Sequence, residues 1–199
     1  MKKSIKEAII TIITIMFTGI AFTGIAAESV QAVTLNNRPA AGSAAAGSAT
    51  GSVTGSAAAG SATPLKISRK EFVISMTYKA ERLKELRSEL KERLVYAAVD
   101  FESMEATAKW LFEKYSEVSD LICNTSEYKY GKQQIKVVNA WNNGIEQELL
   151  GWNSLYMYFA CSCSFNSDLE YAQEYLRLSN DLFHTYQNKL DKYCVKYKL

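Results

Sequence analysis

Ile67-Ser68-Arg69-Lys70-Glu71-Phe72 reads as the start of a helix. Ser68 can cap the first turn, Glu71 three residues later completes a capping box, and Ile67 with Phe72 makes a hydrophobic staple. Beyond it the apolar residues keep a heptad phase. One seam is Met76, Leu83, Leu90, Ala97, Met104, Leu111 and Val118. The other is Val73, Ala80, Arg87, Leu94, Phe101, Ala108, Tyr115 and Ile122, with Arg87 its one departure. Seams held in phase for that long predict a helix packed along its length. Residues 65–123 contain no Gly, Pro or Asn to interrupt it.

Working outward, Asn124-Thr125-Ser126 and Gly131 mark a loop. A second helix is predicted over 132–160, with Val138, Ile145, Trp152 and Phe159 on one seam and Ile135, Asn142, Leu149 and Tyr156 on the other. Ser164-Phe165-Asn166 reads as a turn, and Ser167 with Glu170 as a second capping box. The third helix carries Leu169, Leu176, Phe183, Leu190 and Tyr197. Short loops make such neighbours antiparallel. The fold class is therefore all-α, an antiparallel bundle of three helices with a long, coiled-coil-like first helix. The alternative is a four-helix bundle with a break near Asp100.

The long-helix reading has a consequence. At ~1.5 Å per residue the second helix covers only part of the first. Off-seam Val95, Tyr96, Ala98, Trp110, Phe112 and Leu121 fit a stretch buried on two sides. The earlier stretch shows one narrow stripe in a charged background: Met76, Ala80, Leu83, Leu86 and Leu90. That stripe is the candidate interaction surface, facing a protein partner or a second copy of the chain.

What precedes the domain is of another kind. All 12 Tyr, all 3 Trp and all 4 Cys follow residue 64. Lys2, Lys3 and Lys6 lead into an uncharged run from Ala8 to Ala27, and Val30-Gln31-Ala32 offers small residues for cleavage. This predicts a secretory signal peptide over 1–32, with an uncleaved membrane anchor as the alternative. Residues 33–64 repeat Gly-Ser among Ala and Thr, which reads as a flexible linker. Residues 65–199 form the helical domain. Its expected place is secreted or extracytoplasmic, with membrane contact only if the first segment stays uncleaved.

The domain carries 19 basic and 19 acidic residues, so a polyanion partner such as nucleic acid is not expected. Residues 66–93 are nevertheless net +4, and residues 94–128 net −5. An antiparallel dimer would set one beside the other. In an exported chain the cysteines can pair. An up-down-up topology puts Cys123 and Cys194 at one end, as a predicted disulfide, and Cys161 and Cys163 together at the other, their pairing open.

Chemistry is sparse. His184 is the one histidine, with no nucleophile elbow beside it. There is no Cys-x-x-Cys, no Gly-rich phosphate loop, and hence no expected metal, cofactor or catalytic residue. Glu146 and Glu148 fall on different helix faces. The expected function is non-enzymatic, helix-mediated association outside the cytoplasm. Its rivals are thiol–disulfide exchange through Cys161-Ser162-Cys163 and a membrane-acting helical toxin.

Overall fold

The computed structural model describes residues 5–18, 66–98, 101–126, 128–161 and 166–199. The expected cleavage point at Ala32, the linker over 33–64, Asp100 and Cys163 lie outside them. The protein is all-helical: 87% of the described residues are in helices, with no strand among them. The helices are α1 (Ile5–Thr18), α2 (Arg69–Ala97), α3 (Phe101–Ser119), α4 (Lys132–Ala160) and α5 (Asn166–Tyr197).

The start of α2 is as the sequence dictates. The Glu71 amide donates to Ser68 Oγ at 3.2 Å, and the Ser68 amide donates to Glu71 Oε2 at 3.0 Å. Phe72 is buried and Ile67 packs against the core beside it. The end of α2 is not as expected. Helix α2 stops at Ala97, the Ala98 amide still donates to the Leu94 carbonyl, and a separate helix starts at Phe101. Arg82 pairs with Glu117, and Lys79 Nζ donates to the carbonyls of Asp120 (3.1 Å) and Ile122 (3.5 Å). In one straight helix residues 82 and 117 would stand ~50 Å apart. The single long first helix is therefore corrected: the chain reverses and α3 lies antiparallel on α2.

The physical reason is plain. Heptad phase records which face is buried, and a helix folded back on its predecessor can keep the same phase. Reversal also places the basic half against the acidic half within one chain. Lys114 and Arg82 together hold the Glu117 carboxyl below its ordinary range. Lys79 meets the carbonyl end of α3, where the helix dipole favours a cation. The off-seam residues change meaning as well. Trp110 and Leu121 are buried, but Val95, Tyr96 and Phe112 are exposed, so this stretch is not covered on two sides.

Helices α3 and α4 are joined by the segment 120–131. Asn142 closes it: its Oδ1 accepts from the Cys123 amide at 2.8 Å, and its Nδ2 donates to the Cys123 carbonyl at 3.0 Å. This explains a polar residue on the predicted α4 seam. Trp141 Nε1 donates to the Leu121 carbonyl at 2.8 Å, and the Trp110 and Trp152 rings meet at 5.4 Å.

Helix α4 begins at Lys132 and ends at Ala160, as predicted. Helix α5 begins at Asn166, so Ser167 lies inside the first turn and is not the expected cap. The two pack antiparallel, with Trp141 against Tyr186 (4.9 Å) and Phe183 (5.1 Å). Close approach is what Gly144 and Gly151 provide. A Cβ on Gly144 would stand 2.7 Å from Phe183 Cε1, and one on Gly151 2.8 Å from Leu176 Cγ. Phe183 is boxed between Trp141 and the Arg87 guanidinium and cannot swing aside. Gly144→Ala is expected to lower stability by ~1–3 kcal/mol. The overpacking outweighs the ~1 kcal/mol that alanine gains in helix propensity. Urea denaturation checks this, and a stabilised variant would contradict the packing described.

Helix α5 returns alongside α2. Phe72 meets Tyr193 at 5.3 Å, Arg69 stacks over Tyr197 at 4.0 Å, and the Tyr186 hydroxyl donates to the Met76 carbonyl at 3.3 Å. Helix α1 lies against α5 and α2 and buries Ala8, Ile9, Ile12 and Met16.

Candidate functional site

The predicted interaction stripe is core. Met76, Ala80, Leu83, Leu86 and Leu90 are all buried, within a cluster built from every helix. The free face expected on an unaccompanied helix half is corrected: α3 folds back onto α2, and α5 and α1 pack against it as well. The stripe's apolar character is accounted for without a second chain.

The predicted disulfide is not formed. Cys123, Cys161 and Cys194 are thiols. Cys123 Sγ points at Met76 Sδ, 3.6 Å away. Cys123 and Cys194 do share one end of the bundle, since both act on the Tyr186 phenol, which burial foremost pushes upward. Burial raises the Cys123 thiol to about 11, against a smaller opposing pull from Lys79. Burial first and Asp191 second raise that of Cys194. Thiolate is the reactive form. At pH 8 iodoacetamide is therefore expected to alkylate Cys161 ahead of Cys194, and Cys123 only on unfolding. Peptide mass spectrometry over time reads the order, and early labelling of Cys123 would contradict it.

The departure in the heptad is the centre of a buried polar group. Arg87 is 4% exposed and Glu148 0%. Arg87 Nε donates to Glu148 Oε1 at 2.8 Å, and Nη2 donates to Oε2, a bidentate pair. Nη1 donates to Asn180 Oδ1 at 2.8 Å. Nη2 also reaches Ser179 Oγ at 3.2 Å. Trp152 Nε1 donates to Glu148 Oε1 at 3.0 Å. The Ser179 hydroxyl stands within donating distance of Glu148 Oε2 (2.8 Å) and the Gly144 carbonyl (3.1 Å). All four acceptor positions of the carboxylate are engaged. The group ties α2, α4 and α5 together. Sealed from solvent, it offers no open position to a substrate. His184 stands away from it, exposed on α5.

The sequence reading found Arg87 and missed its partners. Glu148 was legible on a third α4 seam, Gln134–Trp141–Glu148–Leu155, all spaced by seven. All four are buried, so a carboxylate there needs a cation from another helix.

Among the described residues, two of the surface clefts bear on function. One, of about 710 Å³, is lined by Lys66, Glu71, Ser75, Lys79, Asp120 and Tyr128, among others. The other, of about 510 Å³, lies between α3 and α4, with Met104, Ala108, Phe112, Tyr156 and Phe159 in its wall beside the charged Glu105 and Lys109. Phe112 is 70% exposed, and its ring meets Tyr156 at 6.0 Å. Tyr115 and Met157 add to the exposed apolar surface of the same two helices.

No family model, no curated protein and no solved structure matches the chain. Among the described residues no group of His, Cys, Asp and Glu is placed to hold a metal ion, and no helix is long and apolar enough to cross a membrane.

Proposed function

We propose that the chain is an exported, non-enzymatic interaction protein. Residues 1–32 act as the export signal and residues 33–64 as a linker. The domain from residue 65 is a four-helix up-and-down bundle that binds a second protein chain, its own copy or another, through its α3–α4 face. The observation that carries this is the exposure of Phe112 beside a cleft with an aromatic wall. An isolated exposed apolar residue is ordinary, but a large exposed ring against Tyr156, on helices that also expose Tyr115 and Met157, is the kind of surface that associates. Aromatic anchors next to pockets dominate interface energetics.

The test is site-specific photo-crosslinking in the exported protein, expressed from the full chain. Benzoylphenylalanine at position 112 is expected to give a protein adduct. The same group at Tyr78, which is equally exposed at 70% but on α2, is the control. Equal yields at the two positions would overturn the reading. Export has its own measurement: the protein outside the cytoplasmic membrane is expected to begin at Val33.

A further inference from the structure

The contact between α1 and the bundle is built from more than apolar packing. Ile9, Ile12 and Met16 face inward and are buried, while Ile10 on the other side is 61% exposed. Along α5 two side-chain amides stand one heptad apart. Gln173 Nε2 donates to the Ala8 carbonyl at 3.2 Å, and Asn180 Nδ2 donates to the Ile15 carbonyl. The acceptors are also seven residues apart, and both numberings rise together, so α1 runs parallel to α5. Arg87 of α2 bonds the other end of the same Asn180 amide. Because α2 runs antiparallel to α5, α1 lies along the part of α2 that follows Arg87.

Main-chain carbonyls are present in every helix, so two amides at this spacing read helical geometry and direction rather than a particular sequence. Selection then falls to the side chains. The docked face must be apolar and free of charge, as Ile9, Ile12 and Met16 are. Asn180 is 6% exposed and shares its amide between the buried guanidinium and α1. An empty groove would leave that Nδ2 without its acceptor at the edge of the buried ion pair.

We infer that the groove between α5 and the C-terminal half of α2 is a receptor for a helix that presents an apolar, uncharged face and docks parallel to α5, and that it takes such a helix from a partner protein once α1 is no longer joined to the bundle. Residues 5–18 occupy it in the uncut chain and show the pose. The inference rests on the cleavage proposed above for its release of α1, but it concerns a different surface from the α3–α4 face, and either surface can fail while the other stands.

The experiment starts from the folded full chain carrying a specific protease site within residues 40–60. After cutting, the probe is a fluorescent peptide of residues 5–18 with added terminal lysines, followed by anisotropy. Saturable binding of the peptide, or retention of the severed N-terminal fragment through gel filtration, is the expected result. The Ile10→Glu peptide is expected to bind like the parent, and the Ile12→Glu peptide to lose binding at least 10-fold. Gln173→Ala and Asn180→Ala in the protein are expected to weaken it about 2- to 10-fold each. Gln173→Ala spares the Arg87 group, and the peptide variants leave the protein's fold untouched. Loss of the severed fragment with no peptide binding, or equal binding by the Ile12→Glu peptide, would overturn the inference.

Discussion

Glu148→Ala is expected to lower the free energy of unfolding by ~3–5 kcal/mol, measured by urea denaturation. The cost does not come from losing a salt bridge of great net worth. It comes from what is left behind. Without the carboxylate the Arg87 guanidinium stays in a site that is 4% exposed, with only Asn180 and Ser179 as neutral acceptors. The Trp152 indole N–H and the Ser179 hydroxyl each lose a partner as well. The double variant Arg87→Met with Glu148→Leu separates the two accounts. Replacing both members removes the orphaned charge, and the double variant is expected to be more stable than Glu148→Ala alone. The recovery should stop short of the parent protein, because Trp152 Nε1 and Asn180 Oδ1 remain buried without their partners. A Glu148→Ala protein of unchanged stability would refute the sealed site.

The second large effect is expected at Trp141→Ala, again ~3–5 kcal/mol. Trp141 is fully buried and touches two other parts of the molecule. Its rings face Phe183 and Tyr186 of α5, and its indole N–H donates to the Leu121 carbonyl just past α3. Truncation opens a cavity between α4 and α5 and leaves a main-chain carbonyl without its donor. Near-ultraviolet circular dichroism should weaken with the stability, since the packed aromatic cluster is lost. A loss below 1 kcal/mol would mean that the site collapses to fill the gap.

How much of this was legible in the sequence differs by element. Helix α4 was readable to its end residues, because its seams, the Gly131 start and the following polar turn agree. The capping box at Ser68 and Glu71 was readable because both partners are local. The reversal before Phe101 was readable only as the alternative, a break near Asp100. Neither Val99 nor Asp100 is a Gly or Pro breaker, and the seam positions on either side, Leu94 to Phe101 and Ala97 to Met104, keep their phase. Contacts across the turn, Arg82 with Glu117 and Lys79 with the Asp120 and Ile122 carbonyls, reveal the two helices. Long-range polar partners were the other gap. Arg87 stood out on its seam, but nothing near it in the chain names Glu148 or Asn180. Their shared signal is a polar residue at heptad spacing inside an apolar face. The Gln173–Asn180 pair carries it as well, although its meaning required α1 to be in place.

The buried ion pair also sets an order of events for a chain made from its N-terminus. Arg87 lies 61 residues before Glu148 and 93 before Asn180. A guanidinium is not desolvated ahead of the groups that compensate it. Helices α2 and α3 can therefore form a hairpin early, but its inner face stays hydrated until α4 has been synthesised, and closes only when α5 follows. The bundle is the kind of domain that stays open until its last helix has been made, which is the state that the export proposed above requires.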